Sequence, residues 1–285
     1  AGREFTLVVD FAYGTTVEVF PDLLGSLRTE TVSLDAYVAP GRLTRSEQEF
    51  RDALVRLGGI VRSIDADLGL WIDPGGEVIH LIDDAGRPLS SELTQAVFVS
   101  LAIQHLDIRR VAIPVTSPTI VARMIRDAGA ELLWTKTEHH AMMASATEAD
   151  LVAGTRGEFI FPHFIPAYDG MFAAAKLLEA IARSGARLGE EADRVPAIHV
   201  RQGRVACPWP RKGAVMRRLI EETEGQDRQL VDGVKVWLAE NEWVLIIPHS
   251  HKPYFVITAE AADEVRAAAT PEIYTDKVER WRDEE

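Results

Sequence analysis

Cysteine is almost absent from this chain of 285 residues, and long apolar runs are missing altogether. The single cysteine, Cys207, cannot form a disulfide within the chain, which favours the reducing cytoplasm as its compartment. No apolar stretch approaches the roughly 18 residues that a membrane-spanning helix needs, and the N-terminus shows no secretory signal pattern. These absences predict a soluble cytoplasmic protein with no membrane partner.

Basic residues are scarcer than acidic ones. Lys and Arg number 31 against 44 Asp and Glu, which gives a net charge of −13. This balance argues against general nucleic-acid binding, because phosphate backbones are bound by clustered Lys and Arg. One basic group does occur, and we interpret it as a solvated linker and helix face. It comprises Arg201, Arg204, Arg211, Lys212, Arg217 and Arg218.

The length and hydrophobic content predict more than one domain. Hydrophobic residues make up 47% of the chain, which is enough for sizeable cores. Because single cores seldom grow beyond about 250 residues, two or three domains are expected. The chain opens at Ala1 and enters a strand pattern within a few residues, which is typical of a fragment of a longer protein.

Strand and helix patterns alternate through the first two thirds of the chain. Residues 5–11 form an apolar run, residues 17–27 have apolar positions at helical spacing, and residues 31–34 suit a second strand. This order predicts a parallel sheet with a right-handed crossover. A second α/β series starts at residues 109–115. Residues 201–211 contain two prolines and are the best hinge candidate.

The C-terminal third has the strongest strand pattern. Two β-branched runs, residues 234–238 and 243–247, flank a polar break and predict a hairpin, and a third strand is expected at 254–259. The loop before this third strand is bounded by Pro248 and Pro253, which fix φ and remove two backbone donors. A stiff polar loop between two strands is a natural binding loop.

The order of these C-terminal segments resembles the last domain of the α-D-phosphohexomutases, the family of phosphomannomutases and phosphoglucomutases. In that family the loop reads Arg-Pro-Ser-Gly-Thr-Glu-Pro and holds the substrate phosphate. Both prolines are kept here, whereas the arginine and the Ser-Gly-Thr segment are replaced. The seven residues are Ile247, Pro248, His249, Ser250, His251, Lys252 and Pro253.

The resemblance extends over nearly the whole chain. Residues 7–14, LVVDFAYG, resemble the family's Val-Val-Val-Asp-Cys-Ala-Asn-Gly, and residues 67–71, DLGLW, resemble Asp-Leu-Gly-Ile-Ala. It implies an α/β protein with two successive α/β/α domains that have mixed sheets, at residues 1–107 and 108–206. A smaller α+β C-terminal domain follows at residues 207–285. The family's first domain, which bears the phosphoserine, has no counterpart in this chain.

The family's metal loop, Asp-Gly-Asp-x-Asp-Arg, falls on residues 73–78 and is altered. Three carboxylates in five residues suit Mg²⁺, which prefers oxygen ligands in near-octahedral geometry. Here Asp73 is kept, and Glu77 takes the place of the third aspartate. The two carboxylates could bind a cation weakly, but Asp-Pro-Gly-Gly is also a tight-turn sequence. Mg²⁺ is expected only if mutase activity persists.

The family's sugar loop, Gly-Glu-x-Ser-Gly-His, falls on residues 153–158. The glutamate and serine that hold sugar hydroxyls in the family are replaced, while Gly157 is kept and Glu158 follows it. Arg156 has two interpretations. It could bind a phosphate or a carboxylate, or it could be a surface arginine before a strand.

The phosphate loop also has two interpretations. His249 and His251 are two residues apart and could both point outward, which would form an anion-binding or pH-sensitive patch with Lys252. An exposed polar turn is the alternative. The segment from Ser250 to Pro253 also echoes the family's phosphoserine motif, Ser-His-Asn-Pro, but the hairpin context identifies it as the last-domain loop.

All three loops keep glycines or prolines and lose charged or hydroxyl residues, so we expect a retained fold without mutase chemistry and assign no catalytic residue. The resemblance implies a sugar-phosphate-binding, regulatory or assembly module, similar to the C-terminal part of mannose-1-phosphate guanylyltransferase/phosphomannomutase fusions. A sugar phosphate or sugar nucleotide in GDP-mannose supply would be the ligand, and an N-terminal nucleotidyltransferase the partner. One alternative is part of an active mutase that lacks its serine domain. Another is a structural module that forms a homo-oligomer.

Overall fold

The computed structural model describes residues 4–284 and contains three β-sheets, each covered by helices. Two of the sheets have four strands and mix parallel with antiparallel pairs, and the third has five strands that are all antiparallel. The expected class, two mixed α/β units followed by an α+β unit, is confirmed. We call the units the N-terminal, middle and C-terminal domains.

The N-terminal domain contains the predicted strand–helix–strand unit. Its central strand pairs in parallel with two neighbours, and a hairpin adds an antiparallel edge strand, in the order β2-β1-β3-β4. The second helix starts with a capping box between Ser46 and Glu49. The elements are β1 (Phe5–Asp10), α1 (Phe20–Ser26), β2 (Thr29–Leu34), α2 (Glu47–Ser63), β3 (Leu68–Ile72) and β4 (Ile79–Ile82).

The middle domain is built on a sheet of order β6-β5-β7-β8. Its first helix packs against three later helices of the same domain, so the domain begins earlier in the chain than the expected start at residue 108. Gly185, at φ 74°, ends the long Ala-rich helix. The elements are α3 (Ser91–His105), β5 (Arg110–Pro114), α4 (Thr119–Asp127), β6 (Glu131–Thr135), α5 (His139–Ser145), β7 (Leu151–Ala153), β8 (Phe159–Ile160), α6 (Gly170–Ser184) and α7 (Leu188–Asp193).

The C-terminal domain contains the predicted hairpin and third strand. Asn241, at φ 60°, lies in the hairpin turn, where its short polar side chain tolerates the left-handed conformation. The sheet order is β10-β11-β12-β13-β9. The elements are β9 (Val200–Ala206), α8 (Trp209–Glu222), β10 (Arg228–Gln229), β11 (Val234–Ala239), β12 (Glu242–Pro248), β13 (Tyr254–Glu260) and α9 (Glu264–Asp283).

The hinge expected at residues 201–211 is wrong. Strand β9 pairs with β13 along its full length, from Val200 opposite Glu260 to Ala206 opposite Tyr254. Helix α8 follows directly, with Pro210 in its first turn, where a missing amide is tolerated. The C-terminal sheet therefore starts at Val200, earlier than the expected domain start at residue 207.

The hydrophobic interior explains how the domains are joined. One continuous core includes side chains from β1 and β3 of the N-terminal domain and from α3, β5 and α6 of the middle domain. The C-terminal domain has a separate core between its sheet and helices α8 and α9. Within residues 4–284, every helix is either too short or too polar to span a bilayer.

Candidate functional site

The turn between β3 and β4 is built around the carboxylate of Asp73. Its Oδ1 accepts hydrogen bonds from the backbone amides of Glu77 at 2.6 Å and Val78 at 2.7 Å. Its Oδ2 accepts another from the amide of Gly75 at 3.1 Å. Gly76 completes the turn at φ 77°, a conformation that disfavours residues with a Cβ. Asp73 therefore closes the turn, which favours the tight-turn interpretation.

The same residues do not fit a magnesium site. Mg²⁺ requires a near-octahedral set of oxygen ligands, whereas both oxygens of Asp73 already accept backbone amides and Glu77 is exposed. Within residues 4–284, no group of three or more His, Cys, Asp or Glu side chains is placed to hold a metal ion. The turn therefore offers a cation only two carboxylates, Asp73 and Glu77, and Asp73 already accepts three backbone amides.

The sugar loop, between β7 and β8, is closed by the buried side chain of Glu158. Its Oε2 accepts a hydrogen bond from the backbone amide of Arg156 at 2.7 Å, and its Oε1 pairs with the Arg156 guanidinium at 3.1 Å. Gly154 donates its amide to the Glu158 carbonyl at 2.8 Å. Glu158 thus has a structural role in the loop. Arg156 keeps 62% of its side chain exposed, so part of its guanidinium faces solvent.

Gly157 brings the sugar loop against the β3–β4 hairpin. Its φ is 90°, and a Cβ at this position would lie 2.1 Å from the carbonyl oxygen of Ile79. The Ile79 amide donates to the Gly157 carbonyl at 2.9 Å, and Val78 pairs with Glu158 in an isolated antiparallel bridge. Only glycine fits this approach. The hairpin of the N-terminal domain and the sugar loop of the middle domain therefore contact each other directly.

The phosphate loop, residues 249–253, is supported by a buried lysine. Lys212 of α8 is 8% exposed, and its Nζ donates to the carbonyls of His249 at 2.5 Å and Lys252 at 2.6 Å. The interpretation of Lys212 as part of a solvated basic face is therefore wrong. The ring of His249 packs edge-on against Tyr254, and its Nδ1 accepts the amide of His251 at 3.1 Å. Desolvation, followed by the nearby Lys252, lowers the pKa of His249.

Glu138 connects the phosphate loop to the middle domain. This residue immediately precedes α5, and its carboxylate accepts a hydrogen bond from the hydroxyl of Ser250. It also lies 3.5 Å from Nε2 of His140. The hydrogen bond from Ser250 lowers the pKa of Glu138, desolvation opposes it, and the nearby Lys136 acts in the same direction as Ser250.

His139 continues this connection to the sugar loop. Its Nε2 contacts the guanidinium of Arg156, and its ring packs edge-on against Tyr168 with the centroids 5.4 Å apart. The Tyr168 hydroxyl donates to the His139 carbonyl at 3.4 Å. Burial raises the pKa of Tyr168, and the charge of Glu158 adds to the effect, so the hydroxyl stays protonated as a donor.

These contacts place several cationic and imidazole groups along one face of the protein. We call this set the basic cluster, and it is notable in a chain of net charge −13. Arginine and lysine at exposed positions bind phosphate or carboxylate groups through charge-assisted hydrogen bonds. The cluster consists of Lys136, His139, His140, Arg156, His249, His251 and Lys252.

Sequence reasoning found part of this site. It identified Arg156 and the phosphate loop, but it did not find Glu138, Lys136 or Tyr168. The available signal is the pair of adjacent histidines, His139 and His140, but adjacent side chains diverge on a helix or strand, so the pair does not predict a joint metal site. It did not indicate that His139 and its neighbour Glu138 would connect two loops far apart in sequence.

Known proteins resemble this chain in sequence and in fold. A family model described as phosphoglucomutase/phosphomannomutase, alpha/beta/alpha domain III, matches residues 94–198. A probable phosphoglucosamine mutase from Methanopyrus kandleri is 30% identical over 292 aligned residues, which cover 99% of this chain and 63% of the relative. A phosphoglucomutase/phosphomannomutase family protein from Burkholderia thailandensis has a TM-score of 0.83 at 20% identity, covering 99% of this chain and 61% of that one. The chain is thus similar to the α-D-phosphohexomutases in sequence and in fold.

The superfamily match covers only part of each relative. The chain spans about 60% of the length of these phosphohexomutases, with 63% for the Methanopyrus kandleri protein and 61% for the Burkholderia thailandensis structure. Another phosphohexomutase, Aspergillus fumigatus N-acetylphosphoglucosamine mutase in complex with GlcNAc-6P and magnesium, has a TM-score of 0.66 at 11% identity, over 99% of this chain and 62% of that one. At such identities the structural likenesses establish the phosphohexomutase fold alone.

Proposed function

We propose that this chain is a phosphohexomutase-like module that binds a sugar phosphate at the basic cluster without isomerising it. The observation that carries the proposal is the contrast between the loops. Arg156 and Lys252 are exposed, whereas the carboxylate of Asp73 is engaged by backbone amides. Exposed cations suffice to bind phosphate. Phosphoryl transfer also needs positive charge on the transferring oxygens, which a metal ion commonly supplies.

Hexosamine phosphates are the first ligands to consider, because the curated relatives are named phosphoglucosamine mutases. Mannose and glucose phosphates, and sugar nucleotides such as GDP-mannose, are the ligands that the sequence resemblance implies. In this proposal the phosphate is held between the sugar loop and the phosphate loop. The exposed imidazoles and Tyr168 offer hydrogen bonds to the sugar.

The proposed role is regulation or assembly of a larger cytoplasmic protein that carries a sugar nucleotidyltransferase. The buried free thiol of Cys207 is consistent with a reducing compartment. Binding of sugar phosphate to the module would then change the activity of the attached enzyme according to the sugar-phosphate concentration. Measuring nucleotidyltransferase activity of the full-length parent with and without sugar phosphate would test this role directly.

Calorimetric titration with glucosamine 6-phosphate, mannose 1-phosphate and glucose 1-phosphate tests the proposed binding. Lys252→Ala is expected to weaken binding about tenfold or more, because a charge-assisted hydrogen bond contributes about 1.5–3 kcal/mol. Lys277→Ala is the matched control, since Lys277 lies on α9 and pairs with Glu222 at 3.5 Å. Equal weakening by both variants, or no binding of any of the three sugar phosphates, would contradict the proposal.

The alternative is that the chain is part of an active phosphomannomutase, phosphoglucomutase or phosphoglucosamine mutase. One observation favours it. The direct contact of the β3–β4 hairpin with the sugar loop keeps two of the family's loops together. A coupled isomerase assay with hexose bisphosphate and Mg²⁺ separates the two proposals. We expect no turnover by the full-length parent, and brisk interconversion would replace our proposal with this one. A structural homo-oligomer module would instead show a defined assembly by light scattering and no binding.

A further inference from the structure

One buried lysine lies where the C-terminal domain meets the middle domain. Lys235 of β11 is 1% exposed, and its Nζ donates to the carbonyl of Val115, just beyond β5, at 2.7 Å. Nζ also lies 3.8 Å from the ring centre of Trp243, 4.9 Å from that of Trp237 and 5.3 Å from that of Trp134. Tryptophan rings from both domains therefore surround the amine.

Two carboxylates of the C-terminal domain bind the starts of middle-domain helices. Oε2 of Glu260 accepts the amide and the hydroxyl of Thr119, the first residue of α4, at 2.8 and 2.7 Å, and Nε1 of Trp243 at 2.6 Å. Oδ2 of Asp232 accepts the amide and the hydroxyl of Thr137, just before α5, at 2.9 and 2.7 Å. Neither α4 nor α5 has a side-chain cap of its own. The C-terminal domain thus provides an acceptor for the first amide of α4 and holds the residue that precedes the N-cap of α5.

These side chains are the main connection between the two domains. Across residues 4–284, no helix or strand of the middle domain packs extensively on one of the C-terminal domain. A small apolar cluster around Val115, Trp243 and Leu245 accompanies the polar contacts. The phosphate loop directly follows β12. The orientation of the C-terminal sheet therefore determines the distance between the phosphate loop and the sugar loop.

We propose that Lys235, Glu260 and Asp232 form a proton-sensitive latch that sets the position of the phosphate loop relative to the middle domain. The latch is closed when the contacts described above are made. Opening it separates Val115 and Trp134 from Lys235 and brings the amine into water. Closing buries the amine again, so the equilibrium between the two positions depends on whether Lys235 carries a proton.

The direction of this dependence follows from the two environments of Lys235. Burial lowers its pKa to about 7 in the closed latch, and Glu260 on β13 opposes the shift. The other elements packed against the amine present tryptophan rings and the Val115 carbonyl, which do not titrate near neutral pH. In water the pKa of lysine is about 10.4, so closing releases a proton between about pH 7 and pH 10. Rising pH across this window favours the closed latch, and below about pH 7 no further change is expected.

Distance measurements between spin labels test the latch without any ligand. Labels at Glu148→Cys in the middle domain and Glu240→Cys in the hairpin turn occupy exposed positions, while Cys207 is buried. The wild-type background is expected to show one distance near pH 9.5 and a second population that grows toward pH 7. The ratio of the two populations should change by up to about tenfold per pH unit.

Two substitutions of Lys235 with similar volume give opposite expectations. Lys235→Met cannot be charged and should keep the single distance at every pH. Lys235→Arg stays charged and should show the second population throughout. Thr119→Val removes one donor to Glu260 and should raise the second population at every pH, so that the two populations become equal at a higher pH. This variant keeps the proposal testable if a Lys235 variant fails to fold. A wild-type distribution that does not change with pH, or that changes equally in Lys235→Met, overturns the latch. These outcomes are independent of sugar-phosphate binding, so failure of the proposed function leaves the test intact.

Discussion

Two groups of charged side chains differ in what their charges contact. At the carboxyl ends of β1 and β2, Arg56 lies 2.7 Å from both Asp10 and Asp35, and Arg45 lies 2.8 Å from Asp35. In the basic cluster, by contrast, the Lys252 side chain is exposed at a loop tip. Charges paired inside the fold stabilise it, whereas exposed cations remain available to a ligand. A polar cavity of about 360 Å³ lies beside the arginine–aspartate group and is lined by Asp35, Arg45 and Arg56 among others.

The two aspartates of the paired group respond differently to their surroundings. Burial raises the pKa of Asp10, which is completely buried. Desolvation also acts on Asp35, but hydrogen bonds from Arg56, Tyr13 and Arg45 outweigh it and lower its pKa. The nearby Tyr13, at φ 61°, is held in a strained conformation that such pairing helps to maintain.

The largest expected effect is that of Asp10→Ala. Asp10 accepts the amide of Ala12 at 2.9 Å and a hydrogen bond from Arg56 at 2.7 Å. Its removal should lower the free energy of unfolding by about 3 kcal/mol, because a buried amide and a guanidinium lose their acceptor. Urea unfolding at pH 7 measures the loss. A change below about 1 kcal/mol would remove the distinction between the two charged groups.

Gly157→Ala tests how closely the sugar loop, which carries Arg156 of the basic cluster, packs against the β3–β4 hairpin. A Cβ would clash with the Ile79 carbonyl, so we expect a loss of about 3 kcal/mol in urea unfolding. Gly129→Ala is the matched control, because it has φ 74° but no atom within 4 Å of the added Cβ. Only the backbone strain remains there, about 1 kcal/mol. Equal losses would mean that the contact with Ile79 is not close.

Asp73→Ala should have a smaller effect, about 1 kcal/mol. Three backbone amides lose their acceptor, but the turn is partly exposed and water replaces it. Millimolar Mg²⁺ should leave the melting temperature of the wild-type chain unchanged. A rise in melting temperature with Mg²⁺ that disappears in Asp73→Ala would instead support the cation interpretation of this turn.

Lys252→Ala should leave stability unchanged within about 0.5 kcal/mol while reducing sugar-phosphate affinity. Its side chain is exposed, and the loop is held through its backbone by Lys212. Thermal unfolding and calorimetry on the same sample measure the two effects. A stability loss comparable to that of Asp10→Ala would show that Lys252 stabilises the fold, which contradicts the distinction between the two groups of charges.

Local patterns in the sequence predicted much of the fold. The hairpin of β11 and β12 follows from β-branched runs around a polar break, and the glycine stop of α6 follows from an Ala-rich helix that ends before Gly185. The resemblance to phosphohexomutases also predicts three loops, and in the structure each of these segments connects two strands. Their retained prolines and glycines fix the backbone geometry of such connections.

Contacts between distant segments could not be predicted in the same way. In sequence, strand β9 looks like a proline-flanked linker. Its pairing with β13 shows that it is an edge strand of the C-terminal sheet. Lys212 and Lys235 have the sequence context of surface lysines, yet both are buried, because carbonyls from distant loops accept their hydrogen bonds. The contact of Glu138 with Ser250 is likewise set by packing between domains.

The carboxylate of Glu260 at the start of α4 also bears on how the protein can be divided. A recombinant fragment that ended near residue 199 would retain the whole middle sheet but lose the acceptor for the Thr119 amide. Its α4 would begin to unwind at that end, and the apolar surface around Trp134 would be uncovered. Exchange of segments between related proteins should therefore transfer residues 91–283 together, since Glu260 accepts the first amide of α4 and α9 completes the C-terminal core.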